Sequence, residues 1–290
     1  MEIRPNSPRA WLSAARPKTL TGAAVPVLIA LSAAWHAAPS DFLWLPAALC
    51  LLFALLMQVD ANLVNDYFDW ADGVDTAERL GPERAVAQGW VTPRAMRRGI
   101  ALVTAVSATT GLPLVVWGGW QMIWVGMACL TCCFLYTVLF SRHALGDVLV
   151  LVFFGLVPVC ATYFIQTRAL TRDVVLLSVA SGLVIDCLLL VNNYRDRETD
   201  AHVGKVTLVT LIGPRTTEAL YLMLGLIAVG LTVPSLGWHA VLMLPYLIFH
   251  ITNWRKMRQI HEGRALNKIL GTTAAAILVF GLSVSILILI

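Results

Sequence analysis

Charged residues are scarce in this sequence. Asp, Glu, Lys and Arg make up 13% of its 290 residues, whereas an average soluble domain contains about 25%. Hydrophobic residues make up 58%, and the mean hydropathy is +0.76. This balance argues against a soluble domain and predicts that the lipid bilayer is the solvent in which the chain folds.

The sequence also lacks a basic stripe and a cysteine framework. The formal net charge is +4, but the basic residues are dispersed between apolar blocks, so nucleic acid is not an expected partner. The cysteines all lie within apolar runs, where cysteine usually acts as a small buried hydrophobic residue; they are Cys50, Cys129, Cys132, Cys133, Cys160 and Cys187. The Cys129-x-x-Cys132-Cys133 cluster has no second pair and no nearby histidine. We therefore interpret it as packing, not as a metal site.

Long apolar runs dominate what is present. A helix needs about 20 mostly apolar residues to cross a bilayer, because no unpaired backbone group can face lipid. This criterion predicts nine spans, at residues 18–38, 42–64, 97–117, 120–141, 147–167, 173–194, 216–234, 238–254 and 268–290. The expected fold class is an all-α integral membrane protein with a single domain over residues 1–290.

The distribution of basic residues predicts the orientation. With the N-terminus inside, all 21 Lys and Arg residues except Arg168 and Arg172 fall on the cytoplasmic side. This bias predicts a multi-pass protein of the cell inner membrane with a cytoplasmic N-terminus and an outer C-terminus. The long connections around 65–96, 195–215 and 255–267 are then cytoplasmic, and function is expected there.

Two of these connections begin with the same pattern, V-N-[D/N]-Y-x-D, at residues 64–69 and 191–196. Repeated helical units in membrane proteins place a binding site at the interface between the halves. Asn65 and Asp69, like Asn192 and Asp196, stand four positions apart, so about one helical turn of 5.4 Å separates them on one face. The sequence therefore predicts one site shared by the ends of the second and sixth spans.

The chemistry of this site follows from its oxygen atoms. Besides the two asparagines, the two connections carry six aspartates, namely Asp66, Asp69, Asp72, Asp75, Asp196 and Asp200. Such a cluster repels itself unless cations neutralise it, and carboxylate oxygens favour Mg²⁺ completed by substrate phosphate oxygens. Basic residues that could hold a diphosphate are interleaved with the acids; they are Arg79, Arg84, Arg195, Arg197 and Lys205. The alternative is a solvated loop whose charges form salt bridges.

Asn65-Asp66-x-x-Asp69 and Asp196-x-x-x-Asp200 resemble the two signature motifs of the UbiA superfamily of intramembrane prenyltransferases. The similarity covers nearly the whole chain. It is closer to the 1,4-dihydroxy-2-naphthoate polyprenyltransferases, through Arg16-Pro17-Lys18-Thr19-Leu20, Asn62, Gly73-Val-Asp75, Arg79-x-Gly81-Pro82-x-Arg84, Gly146-Asp147, Phe153-Phe154-Gly155 and Gly204-Lys205-x-Thr207-Leu208. The resemblance implies a UbiA-type fold with a cavity that opens to the cytoplasmic half and to lipid.

One position departs from the superfamily pattern. Much of the superfamily has a third acid four residues after the second, and this position is Gly73 here. The naphthoate subgroup carries a later acid, which favours Asp75 over Asp72 as a ligand. Asp60 and Asp186 lie deeper in their spans than the motif acids, and their role is open.

The resemblance also implies a reaction. A polyprenyl diphosphate bound by two Mg²⁺ ions ionises, 1,4-dihydroxy-2-naphthoate attacks the allylic cation, and CO₂ is lost. The implied catalytic acids are Asp66, Asp69, Asp196 and Asp200, and the implied metal ligands are these four with Asn65, Asp75 and Asn192. The implied diphosphate ligands are Arg79, Arg84, Arg195 and Lys205. The implied acceptor ligands are Arg16, Lys18, Asn62 and Tyr136, and Phe68, Phe153 and Phe154 shield the prenyl group.

Two rival functions stay open at this point. Another acceptor, such as 4-hydroxybenzoate, is excluded only by likeness to the subgroup. A transporter is disfavoured, because the acids cluster at one face of the membrane rather than along a pore through it.

Overall fold

The computed structural model describes residues 3–73, 80–138 and 143–290, and the regular structure within them is almost entirely helical. This outcome is expected for a chain in lipid, because a helix pairs its backbone groups within one segment. We number the main helices of this part of the chain α1 (Pro8–Ala15), α2 (Leu20–Ala37), α3 (Trp44–Ala71), α4 (Pro93–Gly118), α5 (Gln121–Val138), α6 (Gly146–Thr167), α7 (Arg172–His202), α8 (Leu208–Leu236), α9 (Leu244–Ile260) and α10 (Leu266–Ile288).

The predicted class of a multi-pass, all-helical membrane protein is confirmed, but the predicted number of nine spans is not. Seven segments of the described chain are long and apolar enough to cross a membrane. Helices α8 and α9 fall within one such segment, Leu208–Ile260, and the apolar helix in α5 is short. The ring Nε2 of His250 donates to the carbonyl of Tyr221 at 3.0 Å. Helices α8 and α9 therefore fold back on each other as an antiparallel hairpin.

The first helical segment differs from the predicted span because it is broken. Arg16 has a left-handed backbone (φ 49°) between α1 and α2. The side-chain amide of Asn62 donates to the carbonyl of Ala15 and to Oγ1 of Thr19, at 2.9 Å each. Asn62 is 3% exposed, so it fastens this break to α3. The contact of Asn62 with the acceptor stays a prediction.

Helices α6 and α7 approach each other closely at two glycines. A side chain at Gly155 would place its Cβ 2.6 Å from the carbonyl oxygen of Ser178, and one at Gly182 would meet Leu151 at 2.7 Å. Small residues at such crossings allow helix backbones to pack tightly in a membrane. Helix α6 also contains a π-helical turn at Leu151–Leu156.

Helix α7 lies at the centre of the molecule. Its apolar side chains belong to two buried clusters, one shared with α2, α6 and α8 to α10 and one shared with α8 to α10. The α7 segment Arg172–His202 is the most buried of the seven candidate spans. Helices α3 and α7 therefore form rigid supports for the two repeated motifs, which lie at their C-terminal ends.

Candidate active site

A cavity of about 600 Å³ lies between helices α2 to α7. Its wall is mostly apolar, and polar side chains converge at the end where α3 and α7 carry the repeated motifs. These polar residues are Arg16, Asn65, Asp69, Arg84, Asn192, Asn193 and Lys205. A largely apolar pocket with a few converging polar groups is the usual form of a ligand site. The two halves of the sequence repeat meet here, as the repeat predicts.

The first motif contributes Asn65 and Asp69 to the cavity wall. The hydroxyl of Thr137 donates to Oδ1 of Asn65. A guanidinium nitrogen of Arg84 lies 2.7 Å from Oδ2 of Asp69. Because these residues are four apart on α3, both oxygens face the same end of the cavity.

Asp66, the other acid of this motif, faces away from the cavity. Its carboxylate is 1% exposed and accepts the backbone N–H groups of Ala85 and Val86 at 2.9 Å each. Arg16 lies 3.9 Å from it. Asp66 therefore anchors the loop at residues 80–91 to α3, and its contact with a metal stays a prediction.

The second motif is organised by Arg195. Its guanidinium donates to Asp196 at 2.7 and 2.5 Å, to Oδ1 of Asn192 at 2.9 Å and to Oδ1 of Asn267 at 2.8 Å. Arg195 is 2% exposed. Its donors hold protein oxygens in place in the absence of substrate, and its role as a diphosphate ligand stays a prediction. Asn192 lines the cavity, and Asp196 lies behind that wall.

Asp200 continues the acidic ladder on α7. The ammonium group of Lys205 lies 3.2 Å from its Oδ1, and Lys205 lines the cavity. Asp200 is 6% exposed, and no partner of its Oδ2 occurs among the described residues. Like Asp69 and Asp196, this acid is paired with a neighbouring base.

The 80–91 loop connects the two motifs. The amide of Asn267 donates to the carbonyl of Leu80 at 2.8 Å, and Arg84 reaches Asp69 from the same loop. A Cβ at Gly81 would lie 2.7 Å from the guanidinium of Arg195. Glycine at this position therefore lets the loop lie directly on the second motif.

The other predicted residues divide into two groups. Arg16, Tyr136, Phe153 and Phe154 line the cavity. Lys18 is exposed and lies outside the cavity wall, and its contact with the acceptor stays a prediction.

Phe68 also lies outside the wall, and its ring packs edge-on against that of Tyr67, with 5.3 Å between the ring centroids; its prenyl contact stays a prediction. The predicted ligands Asp75 and Arg79 lie outside the described residues.

Several wall residues escaped the sequence analysis. Polar or acidic examples are Thr19, Gln58, Asp147, Asn193 and Thr207. Each belongs to a stretch that matched the naphthoate subgroup or adjoins one, but single-residue spacing does not predict which face meets the cavity. The Gly146-Asp147 dipeptide was the available signal, because an acid at the start of an apolar run is costly without a function.

The oxygen atoms at this end of the cavity suit a metal ion whose remaining coordination positions are filled by the substrate. Among residues 3–73, 80–138 and 143–290, no three His, Cys, Asp or Glu side chains converge as metal ligands. The cavity end instead offers separate carboxylate and amide oxygens, each near a base. Mg²⁺ suits such a set, since it binds a few protein oxygens and fills its remaining positions with phosphate oxygens and water.

Fold and site together define a multi-pass membrane protein with an apolar cavity, and the polar end of this cavity carries acidic residues that form ion pairs with basic residues. The model of the UbiA prenyltransferase family matches residues 23–270, and the chain belongs to this family. It is 35% identical to the 1,4-dihydroxy-2-naphthoate octaprenyltransferase of Mycobacterium tuberculosis, over 95% of each chain. It is also 35% identical to the Haemophilus influenzae enzyme of that name, over 70% of this chain and 69% of the relative.

A solved structure of a UbiA homolog from Archaeoglobus fulgidus, bound to GPP and Mg²⁺, has the same fold. Its TM-score is 0.64 at 15% identity, and the match covers 95% of this chain and 99% of that chain. The likeness supports the arrangement of helices described above.

Proposed function

We propose that this protein is a 1,4-dihydroxy-2-naphthoate polyprenyltransferase of menaquinone biosynthesis. It transfers a polyprenyl group from its diphosphate to the naphthoate ring with loss of CO₂ and diphosphate. The observation that carries the proposal is the full-length similarity to the Mycobacterium tuberculosis relative of that name. A large apolar cavity that ends in paired acids and bases suits a substrate with a long apolar tail and an anionic head.

The diphosphate is held at the polar end of the cavity with Mg²⁺, for which we propose two ions. The named ligands of the Archaeoglobus fulgidus homolog, GPP and Mg²⁺, support this assignment. Asn65, Asp69 and Asn192, with Asp196 behind them, hold the metal, which acts as a Lewis acid on the departing diphosphate. Arg84 and Lys205 already lie at that end. Each can replace its contact with a carboxylate oxygen by a contact with a phosphate oxygen.

The same geometry supports a catalytic role for the acids. Asp69, Asp196 and Asp200 each hold a base within 3.2 Å, which positions that base before the diphosphate arrives. Asp75 and Arg79 complete the proposed set of metal and diphosphate ligands. Preorganised charges at the leaving group stabilise the transition state without a reorganisation cost at that moment.

The acceptor lies between this end and the apolar wall. Arg16 is the proposed partner of the acceptor carboxylate, because it lines the cavity and retains 24% side-chain exposure. Tyr136, Phe153 and Phe154 line the wall and shield the allylic cation from water. The prenyl tail extends along the apolar wall toward lipid.

The proposed orientation follows the positive-inside rule. The N-terminus and the active-site loops face the cytoplasm, the C-terminus lies on the other side of the inner membrane, and residues 1–290 act as one domain.

Turnover by the purified protein tests the proposal. Protein in detergent receives a prenyl diphosphate, Mg²⁺ and either carboxyl-labelled 1,4-dihydroxy-2-naphthoate or 4-hydroxybenzoate. We expect prenylated naphthoquinol and labelled CO₂ in equal amounts. Prenylation of 4-hydroxybenzoate alone contradicts the acceptor, and no prenylation of any acceptor contradicts the enzyme.

A further inference from the structure

Two carboxyl groups with no part in the mechanism above lie at or behind the wall of the cavity. Asp147, in the first turn of α6, lines the cavity, and Asp186 on the adjoining helix α7 is 6% exposed. Their Oδ1 atoms are buried, and neither has a partner among the described residues. Two neighbouring buried carboxyl groups repel each other when both are ionised, which favours a single negative charge shared by the pair.

The packing of the backbones places this pair. Gly182 of α7 lies against Leu151 of α6, where its Cβ would be 3.1 Å from the Leu151 Cα. The helices are antiparallel, so one turn away from this contact Asp147 stands opposite Asp186. The glycine contact therefore fixes the pairing independently of the side-chain rotamers.

The pair lies close to the reacting end of the cavity. A Cβ at Gly146 would be 3.7 Å from the hydroxyl of Tyr136, and Tyr136, Asp147 and Asp69 all line the cavity. Along α7, Asp186 precedes Asn192 by six residues, or about 9 Å. Asp147 and Asn192 both line the cavity, so a ligand in the cavity can contact both.

A purely structural role fits another buried acid better. Asp60 is fully buried and accepts a hydrogen bond from Oγ1 of Thr104 at 2.7 Å. It lies outside the cavity wall and ties α3 to α4. Oδ1 of Asp60 is also buried without a partner among the described residues, so the difference between the two acids is that Asp147 lines the cavity, where a ligand can reach its carboxyl group.

We propose that Asp147, backed by Asp186, binds the phenolic hydroxyl next to the ring carbon that is attacked. This inference rests on the proposed function. The hydroxyl donates to Asp147, and Asp186 positions Asp147. As the ring carbon bonds to the prenyl carbon and the bond to diphosphate breaks, positive charge grows on the hydroxyl oxygen, and the pair stabilises it. Cleavage of the bond to the carboxylate then returns an electron pair to the ring and releases CO₂, with no net proton transfer.

Steady-state kinetics test the subsite. We expect Asp147→Asn to raise the KM for 1,4-dihydroxy-2-naphthoate at least tenfold and to change the KM for prenyl diphosphate less than twofold. Asp186→Asn should shift the acceptor KM in the same direction by a smaller factor. The control, Asp60→Asn, removes a fully buried acid outside the cavity wall and should change neither KM. An acceptor KM within twofold of wild type in Asp147→Asn, or equal rises for both substrates, overturns the inference.

A methyl ether of the acceptor distinguishes loss of the proposed hydrogen bond from a folding defect of the variant. Methylation of the hydroxyl adjacent to the carboxylate should lower kcat/KM of the wild type at least tenfold, but that of Asp147→Ala threefold or less, because the hydrogen bond is already lost. Equal penalties in both proteins overturn the subsite. A wild type that prenylates no hydroxynaphthoate overturns the proposed function and the inference with it.

Discussion

Asp66 and Asp69 stand three positions apart on α3 and have different surroundings. The carboxylate of Asp66 is buried against backbone N–H groups of the 80–91 loop, whereas that of Asp69 lines the cavity beside Arg84. Residues three positions apart lie on neighbouring parts of one helix face, so the difference comes from what packs against each acid and not from the spacing. We therefore expect substitution of Asp66 and substitution of Asp69 to have different effects on stability and on activity.

Asp69→Ala is expected to abolish turnover and leave the thermal stability in detergent nearly unchanged, because Asp69 acts on the metal-bound diphosphate. Asp66→Ala leaves two buried N–H groups without an acceptor, at about 1–3 kcal/mol each. It should lower the melting temperature first and activity as a consequence. Thermal unfolding and turnover of the two variants, measured side by side, check this. Equal loss of stability in both would contradict the division of roles.

The glycine contact between α6 and α7 matters at the scale of the helices. It brings Asp147 level with Asp186 and places the π-helical turn with Phe153 and Phe154 at the cavity. A side chain there meets backbone atoms, which cannot move aside as a flexible side chain can.

Gly155→Val is expected to destabilise the protein by about 1–3 kcal/mol or more, since overpacking forces the helices apart. Gly230→Val on α8 is the control, because a Cβ there meets nothing within 4 Å. Thermal unfolding in detergent should separate the two variants. Similar melting temperatures would show that α6 and α7 can part without cost.

The elements also show how far the sequence carries the prediction. Apolar run length located most helices, because the bilayer sets that length. It missed the break at Arg16, since a left-handed backbone held by Asn62 depends on a contact 46 residues away in sequence. The repeat located the two motif ends, but helical spacing alone did not reveal that Asp66 serves a loop or that Arg195 is a buried brace.

The orientation is a property of the whole molecule. If α8 and α9 cross the membrane as a hairpin and α5 crosses as well, the number of crossings is odd. The termini are then on opposite sides, with the N-terminus in the cytoplasm. Reporter fusions at both ends measure this. Two termini on the same side would mean that α5 or one arm of the hairpin does not cross.

The paired charges at the cavity end affect the last step of turnover. Asp69, Asp196 and Asp200 have Arg84, Arg195 and Lys205 as internal counterions. When the diphosphate product departs with its metal, Arg84 and Lys205 regain their carboxylate partners, and this gain offsets part of the contact energy that holds the product. In the empty site, the carboxylates thus compete with the diphosphate product for Arg84 and Lys205. This competition favours release of a highly charged leaving group from the edge of a membrane.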